Sequence, residues 1–373
     1  MKTAVIGPFP PFRGGIAQFS RRLLETLISV FPCDEHVPVS YRRLYPGFLF
    51  PGTSQKDPEG GGSLTTEPVP EKLLDSMLPW IWPGTRRILS RRAFDRMIVQ
   101  WWHPFFAPCL SMSLPRGVRS AAVCHNVMPH EGFPMGRKLA SSFLRRMDLL
   151  VVHSAADAEE AERIAGPDRV LRLYHPLYDQ YLPYSRGRGA SRERLGYSEE
   201  DMVVLFFGLV RPYKGLEDLI AAAAMLSTEV KLLIAGESYM DRDHILSSID
   251  AAGLSGRVRW DDRFIPDSEV SNYFEAADVV ALPYRSATQS GVAQIALSFG
   301  KPLVLTDTGG LGELINEGST GFLAPAGSPD GIAAAIASCL RLSLDPRSRE
   351  RVLQKSLEFS WEEYASSLMK ALS

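Results

Sequence analysis

The sequence predicts an α/β protein that contains two doubly wound parallel sheets, one in each half of the chain. Short apolar runs, each bounded by polar or turn residues, alternate with helical patterns, as is typical of parallel strands joined by crossover helices. This pattern stops at a polar stretch and then restarts. The 373 residues also suffice for two domains of about 100–200 residues each.

The first half begins with the buried strand KTAVIG (2–7), followed by a proline-rich loop with two glycines and a helix over 16–29. Residues 51–70 are rich in Gly, Pro, Ser and Thr, which predicts a mobile surface loop. Further strands are predicted at MIVQWW (97–102), SAAVCHN (120–126) and DLLVVHS (148–154). We expect residues 1–177 to form the first domain.

The chain is polar over 178–200, which we interpret as the linker into the second domain, 178–358. Beyond it, five strands alternate with helical patterns. They are MVVLFFG (202–208), VKLLIAG (230–236), RVRW (257–260), DVVALPY (278–284) and PLVLTD (302–307). A last amphipathic segment, 359–373, is expected to pack back on the first domain. Two such sheets in tandem predict a cleft where their carboxyl ends face each other.

Composition excludes several classes of protein. The formal net charge is −2, so the chain as a whole offers no electrostatic argument for nucleic-acid binding. Its four cysteines form no CxxC pair and lack zinc-ligand spacing, as is typical of a reduced, cytoplasmic protein. We expect no signal peptide, because the apolar run in MKTAVIGPFPPF is too short and prolines interrupt it. We expect no membrane span, because no apolar run approaches 18 residues.

Positive charge follows one buried strand, in VLFFGLVRPYKG (204–215). Gly208 ends the strand, and Arg211 and Lys214 lie in the turn that leads into the next helix. A helix N-terminus carries about half a positive charge, so a guanidinium and an ammonium beside it would bind a diphosphate. The alternative for this stretch alone is a solvated turn.

Two further strand-to-helix turns follow in the same half. Ser290 or Thr288 is expected to cap a helix that starts near Gly291, so that the N–H groups of Gly291 and Val292 point into the cleft. The TGG sequence at 308–310 is expected to open another helix, with Glu313 in its first turn. The alternative role for Glu313 is a carboxylate that caps this helix.

The order of these motifs resembles the family-4 retaining glycosyltransferases. The matching residues are Phe207, Gly208, Pro212, Lys214 and Gly215; Ala277, Asp278, Val279 and Pro283; Phe299, Gly300, Lys301 and Pro302; Asp307, Gly309, Gly310 and Glu313; and Gly318, Gly321, Phe322 and Leu323. The resemblance is dense in the second half. It reaches the first half through GPFPPFRGGIAQF, HNVMPHE and DLLVVHS. It implies the GT-B fold, in which two Rossmann-like domains face each other across a cleft.

The resemblance also implies roles for individual residues. Arg211 and Lys214 would hold the donor's diphosphate, His125 would lie beside the donor sugar, and Gly14 and Gly15 would let a loop of the first domain approach the donor. The candidate catalytic side chains are therefore Arg211, Lys214 and His125. The candidate donor-binding positions are Gly14, Gly15, Gly208, Gln289, Ser290, Gly291, Val292, Gln294 and Glu313.

Two departures from the family pattern affect these assignments. The family's paired glutamates would fall at Ala287 and Ile295, and neither residue is acidic. In the family the second glutamate grips the nucleotide's ribose. Here either Gln294 or Gln289 replaces it, or the ribose is held in another way, or donor binding is lost. The stretch ATQSG (287–291) resembles a variant loop of some bacterial members, which favours replacement. The usual arginine after the first glycine is replaced by Leu209, so the role of Arg211 is shifted by two residues.

Other candidates are weaker. For His125 the alternative is a turn histidine bonded to the backbone, and His103, His130 and His175 have less support. The sequence DRD (241–243) matches the acidic metal-binding signature of the other large glycosyltransferase fold. It lies in the middle of the second domain, where that fold would not place the signature. We therefore predict no metal site and no cofactor.

The predicted function is transfer of a hexosyl group, with retention, from a nucleoside diphosphate sugar to an acceptor hydroxyl. A UDP-sugar is the expected donor and a GDP-sugar the alternative. Basic helical stretches at 84–97 and 135–147 are either solvated faces or contacts with anionic membrane lipid, which would suit a lipid-linked acceptor. Two rivals remain, a nucleotide-sugar epimerase on the same scaffold and a non-catalytic nucleotide-sugar-binding protein.

Overall fold

The computed structural model describes residues 1–45, 55, 68–128, 135–287 and 289–373. The chain divides into two compact units. The first contains Met1–Tyr174 together with Ser360–Ser373, and the second contains His175–Phe359. Most of the loop predicted at 51–70, as well as Thr288 and His130, lies outside the described residues.

Within the described residues the first unit holds a seven-stranded parallel sheet and the second unit a six-stranded one. The strands of the first unit are β1 Lys2–Ile6, β2 Glu35–Arg43, β3 Glu71–Asp75, β4 Arg96–Trp101, β5 Arg119–Cys124, β6 Leu149–Val152 and β7 Val170–Arg172. Those of the second are β8 Met202–Phe207, β9 Val230–Ala235, β10 Val258–Asp261, β11 Val279–Leu282, β12 Leu303–Thr306 and β13 Gly321–Ala324.

Helices cover the faces of both sheets. They are α1 Gly15–Val30, α2 Trp82–Arg91, α3 Ala107–Ser113, α4 Gly136–Leu144, α5 Ala155–Ala165, α6 Arg188–Leu195, α7 Leu216–Ala224, α8 Arg242–Ala251, α9 Asp267–Ala276, α10 Gly291–Ser298, α11 Pro329–Ser343, α12 Ser348–Ser356 and α13 Trp361–Ala371. The central strands are buried on both sides, which explains their continuous apolar runs. None of the described helices is both long and apolar enough to cross a membrane.

The order of strands reverses once in each sheet. The first sheet runs β3-β2-β1-β4-β5-β6-β7, and the second runs β10-β9-β8-β11-β12-β13. In the first sheet the chain therefore continues from β1 and from β4 toward opposite sides. In the second sheet the same holds for β8 and β11. In open α/β sheets, ligands bind outside the carboxyl ends of the strands at such a reversal.

The last helix belongs to the first unit. Trp361 of α13 is buried, and its ring centroid lies 5.0 Å from that of Phe19 on α1. Ser360 caps the helix, because its side chain accepts a hydrogen bond from the N–H of Glu363 at 3.2 Å. Residues 359–373 were expected to pack back on the first domain, and α13 lies on α1 in this way.

Residues 178–200, predicted as the linker at the start of the second domain, lie in the second unit. The helix α6 lies within it, and Arg192 on α6 is 1% exposed. Its guanidinium donates to Asp278 at 2.8 Å and to the carbonyl of Ala276 at 3.1 Å. The partner that neutralises Arg192 lies 86 residues away in the sequence, so the polar composition of this segment does not reveal the pair.

Candidate functional site

The carboxyl end of β8 holds a buried ammonium group directly above Gly208. The glycine has φ +100°, and a Cβ added to it would lie 2.9 Å from Nζ of Lys214. Residues Pro212–Lys214 form a single 3₁₀ turn, and Gly215 follows with φ +67°. Gly208 therefore provides both the left-handed backbone and the space that the Lys214 side chain occupies.

Lys214 is a buried cation without a carboxylate partner among the described residues. It is 9% exposed, and its Nζ lies over the ring of Tyr284, 5.3 Å from the centroid. Burial lowers the pKa of the Lys214 ammonium, and the charge of Arg211 lowers it further. A buried charge is unfavourable unless it is paired. This lysine therefore creates a strong local preference for an anion.

Arg211 adds a second positive charge at the same edge of the sheet. It is half-buried, and its guanidinium carbon lies 5.0 Å from the centroid of the Tyr239 ring. Tyr239 follows β9, whose end is held against β8 because the N–H of Tyr239 donates to the carbonyl of Val210 at 2.9 Å. A cation over an aromatic face is stabilised by about 0.5–2 kcal/mol, which favours a defined position for this guanidinium.

The loop after β11 is fastened to the turn that carries Lys214. A Cβ at Gly215 would lie only 2.1 Å from the carbonyl oxygen of Pro283, so the two backbones touch there. The N–H of Arg285 donates to the carbonyl of Tyr213 at 2.7 Å. The Arg285 guanidinium also pairs with both carboxylate oxygens of Asp218 on α7, each at 2.8 Å. These contacts fix the position of the loop after β11 relative to the turn that carries Lys214.

The N-terminus of α10 completes this edge. Ser290 caps the helix, accepting from the N–H of Ala293 at 3.3 Å. The side chain of Val292 lies beside Gly208, with Cγ2 3.5 Å from a Cβ placed there. On the other side, a Cβ at Gly291 would lie 2.8 Å from the ring of Tyr178, so only glycine fits against this tyrosine. The positive end of α10 thus lies near the Lys214 ammonium.

Together these groups form a candidate anion site at the reversal between β8 and β11. Lys214 and Arg211 supply two full charges, and the first turn of α10 supplies backbone N–H groups and a partial charge. A diphosphate has the charge and length to engage all three. The sequence predicted Gly208, Arg211, Lys214, Ser290, Gly291 and Val292 for this site, and the structure brings them to one edge of one sheet.

The two glutamines that were expected to replace the missing glutamate differ in burial. Gln294 is 0% exposed, and its side-chain oxygen and nitrogen both have no hydrogen-bond partner among the described residues. Gln289 is half-buried in the loop before α10. Ile295, at the position of the ribose-binding glutamate in the resemblance, is 6% exposed and packs in the core.

Glu313 does not begin an α-helix. Residues Leu311–Leu314 form a single 3₁₀ turn, and the N–H of Glu313 donates to the carbonyl of Gly310 at 3.3 Å. The prediction of a helix opening at TGG is therefore wrong, because Ile315 returns to an extended conformation after one turn. Such a short turn has no appreciable dipole. Glu313 is half-buried, and only its carboxylate, without a helix dipole, keeps it a candidate donor-binding residue.

In the first unit, Gly14 and Gly15 form the start of α1. Gly14 has φ +106° and is the N-cap, and no atom lies within 4 Å of a Cβ placed there. Both glycines are exposed. A side chain at Gly14 would be disfavoured by the backbone conformation and not by crowding. These two glycines follow β1, at the strand-order reversal of this sheet.

His125 follows β5 in the first unit and is half-buried. Its Nε2 lies 2.7 Å from Oε1 of Gln100, and its ring packs edge-on against Phe19, 4.8 Å between centroids. The described contact of Nε2 is with the side chain of Gln100, and the alternative of a turn histidine bonded to the backbone stays a prediction. Sequence reasoning missed Gln100, although it is a single polar residue inside the apolar run MIVQWW.

His103, His175 and the acidic residues of the DRD sequence (241–243) have local contacts. His103 accepts from the N–H of Phe105 at 3.1 Å and caps a 3₁₀ turn. Burial lowers the pKa of His175 to about 4, and its ring stacks on Tyr178. Asp241 caps α8 by accepting from the N–H of Asp243 at 3.0 Å. No group of three or more His, Cys, Asp or Glu side chains in the described ranges could hold a metal ion.

Residues 201–341 match the family described as "Glycosyl transferases group 1". The match covers the strands and loops that form the candidate anion site. The chain is also 30% identical over 233 residues to D-inositol 3-phosphate glycosyltransferase of Mycobacterium tuberculosis, over 60% of this chain and 48% of that protein. The chain thus spans about half the length of the curated relatives that it matches.

Solved structures match nearly the whole chain. HepE from Anabaena, crystallised with UDP, superposes with a TM-score of 0.75 at 17% identity, over 100% of this chain and 99% of that one. Sucrose-phosphate synthase from Thermosynechococcus elongatus superposes with a TM-score of 0.72 at 19% identity, over 99% and 97%. The prediction of a two-domain, Rossmann-like GT-B fold is confirmed.

Proposed function

We propose that this protein is a retaining glycosyltransferase that moves a hexosyl group from a nucleoside diphosphate sugar to an acceptor hydroxyl. The observation that carries the proposal is Lys214, a buried ammonium with no carboxylate partner in the described part of the chain, beside the capped N-terminus of α10. The match of residues 201–341 to a glycosyltransferase family supports this reaction class.

The proposed donor is a UDP-sugar, with a GDP-sugar as the alternative. HepE from Anabaena has been crystallised with UDP and, in another structure, with UDP-glucose. The HepE–UDP-glucose structure superposes on this chain with a TM-score of 0.75. These likenesses support a nucleotide-sugar donor, and the cationic edge in the second unit fits the diphosphate that every such donor contains.

The proposed role of the site is stabilisation of the leaving group. When the bond between sugar and phosphate breaks, the nucleoside diphosphate gains negative charge. Lys214, Arg211 and the N–H groups of Gly291 and Val292 would already be oriented toward that charge. Removing one such donor typically lowers the rate about 100–1000-fold. In this proposal the cations and the helix terminus supply the positive charge, so the reaction requires no metal ion.

Retention places further demands on the reaction. The acceptor hydroxyl attacks the anomeric carbon on the face that the diphosphate leaves, and an oxygen of the departing phosphate takes the hydroxyl proton. No protein nucleophile is required for this route. His125, at the carboxyl end of a first-unit strand, is proposed to hydrogen-bond the donor sugar.

The first test compares Lys214→Ala with Lys231→Ala. Lys231 is a half-buried lysine at the amino end of β9, the opposite edge of the same sheet. Thermal-shift screening against UDP-, GDP-, ADP- and TDP-sugars identifies the donor, and transfer to an acceptor mixture is then followed by mass spectrometry. We expect Lys214→Ala to abolish transfer and Lys231→Ala to preserve it. Near-normal turnover in a folded Lys214→Ala variant would contradict the proposal.

The same assays separate the two rival functions. An epimerase would interconvert free nucleotide sugars without any acceptor. A non-catalytic binding protein would give a thermal shift with a nucleotide sugar, yet neither transfer nor slow hydrolysis of the donor.

We also propose peripheral contact with an anionic membrane through the first unit. Arg86 on α2 and Arg146 after α4 both donate to the carbonyl of Ser111 at the end of α3, at 2.5 and 2.9 Å. Burial lowers the pKa of the Arg146 guanidinium, as do the charges of Arg116 and Arg86. No carboxylate of the described residues pairs with these three arginines, and Trp80 is 74% exposed just before α2.

Such a cluster fits a lipid surface because each basic residue near an anionic bilayer contributes about 1 kcal/mol. The test is co-sedimentation with vesicles of phosphatidylglycerol or of phosphatidylcholine. We expect Arg86→Glu and Arg146→Glu to weaken binding to the anionic vesicles. Arg137→Glu is the control, because Arg137 already pairs with Glu160 at 3.3 Å. Equal binding to both kinds of vesicle would refute the contact.

A further inference from the structure

Gln100 is a wholly buried glutamine in the central strand β4. Its Oε1 lies 2.7 Å from Nε2 of His125, and the side chain is 0% exposed. A carboxamide oxygen can only accept a hydrogen bond, so Nε2 of the imidazole donates. A neutral imidazole bonded in this way carries its proton on Nε2, and Nδ1 is then an acceptor.

We propose that Gln100 is a positioning residue that fixes the tautomer and ring orientation of His125. The inference rests on the proposed function, in which His125 contacts the donor sugar. An imidazole held with Nδ1 as acceptor can receive a hydrogen bond from a sugar hydroxyl. The opposite tautomer would present an N–H group to that hydroxyl instead.

The backbone around Gln100 is shaped to admit its side chain. A Cβ added to Gly7, the residue after β1, would lie 2.5 Å from Cγ of Gln100 and 3.0 Å from Oγ of Ser20. Gly7 has no left-handed φ, so its backbone conformation is open to any residue. The glycine is therefore required for space, and that space is filled by Gln100.

The stability of the fold does not explain why position 100 is a glutamine. Its Nε2 is buried and has no hydrogen-bond partner among the described residues. A buried donor left without a partner costs about 1–3 kcal/mol, and a leucine of similar volume would avoid that cost. The adjacent strands β1 and β5 are apolar where they flank Gln100, so an apolar residue would suit the strand better. Burial of Gln100 at this position is unfavourable, but it places the side-chain oxygen where it can bond His125.

The test uses ¹⁵N chemical shifts of the imidazole, which distinguish the two neutral tautomers and the cation. The His125 signals are assigned by comparison with His125→Asn. We expect the Nε2–H tautomer in the wild-type protein. In Gln100→Leu the two tautomers should mix, and in Gly7→Ala, where Gln100 is displaced, they should mix as well. Ser20→Ala, which removes the other atom near Gly7, is the control and should leave the shifts unchanged.

Transfer assays add a second readout. We expect Gln100→Leu to lower kcat about 10–100-fold, the effect typical of residues that orient a functional histidine, with little change in KM for the donor. A wild-type Nδ1–H tautomer, or unchanged shifts in a folded Gln100→Leu variant, would overturn the proposal. Shifts that change while kcat stays constant would instead support Gln100 as positioning residue and remove His125 from the reaction. The ¹⁵N result stands even if no transfer activity is found.

Discussion

The contact between Gly215 and Pro283 gives a prediction that compares two glycines of the second unit. Gly215 has φ +67°, and a Cβ there would lie 2.1 Å from the carbonyl oxygen of Pro283. Gly253, which follows α8, has φ +69°, but no atom lies within 4 Å of its added Cβ. Substitution by alanine therefore imposes the same backbone strain at both positions and a collision at only one.

The magnitudes follow from these two terms. A left-handed conformation costs a non-glycine residue about 1–2 kcal/mol, which is the expected loss for Gly253→Ala. For Gly215→Ala the two backbones must also separate by about 1 Å, because carbon and oxygen atoms do not approach within 3 Å. Forcing extra atoms into a packed site typically costs a further 1–3 kcal/mol, so we expect a total of about 2–5 kcal/mol.

The separation also displaces Lys214, the residue before Gly215. Urea unfolding of both variants gives the free energies, and calorimetric titration with UDP gives the affinities. We expect weaker UDP binding for Gly215→Ala and wild-type binding for Gly253→Ala. Equal losses of stability, or unchanged UDP affinity in Gly215→Ala, would refute the idea that the two loops set the position of the ammonium.

Three further predictions concern single side chains. Ser290→Ala and Ser328→Ala each remove a helix-capping hydroxyl and should each cost about 1 kcal/mol of stability, but only Ser290→Ala should weaken UDP binding in calorimetric titration. Burial lowers the pKa of His175 from 6.5 to about 4, so its contribution to stability is complete above pH 6.5 and falls by about 3 kcal/mol as the pH drops to 4. Urea unfolding across that range should show a shallower loss for His175→Gln. Gln289→Ala should weaken binding of UDP but leave binding of inorganic pyrophosphate unchanged.

The sheets, and the turn that brings Gly208 and Lys214 together, were largely predictable from the sequence because their signals are local. Buried parallel strands are apolar throughout, so MVVLFFG and DVVALPY were recognisable as β8 and β11. Gly208 and Lys214 follow β8 within a few residues. The position of that turn at the carboxyl end of a strand follows from the order of elements alone.

The partners that position these residues could not be predicted because they come from distant parts of the chain. Tyr284 lies under the Lys214 ammonium, and Asp218 orients Arg285 in the loop after β11. Arg192 is neutralised by Asp278, which allows this arginine to be buried on an otherwise polar helix. Such pairings depend on tertiary geometry, and a single sequence carries no pattern that connects the two members.

The burial of α10 favours one of the two glutamines that were expected to hold the ribose. Ile295 and Gln294 are both at most 6% exposed, so the helix presents only its first turn outside the core. A nucleotide could reach Gln294 only if that turn moved, and the move would break the Ser290 cap and the contact between Gly291 and Tyr178. Gln289 precedes the cap and is half-buried, so a movement of its side chain toward a ligand would leave α10 in place. We therefore infer that the loop before α10, and not the helix, holds the ribose.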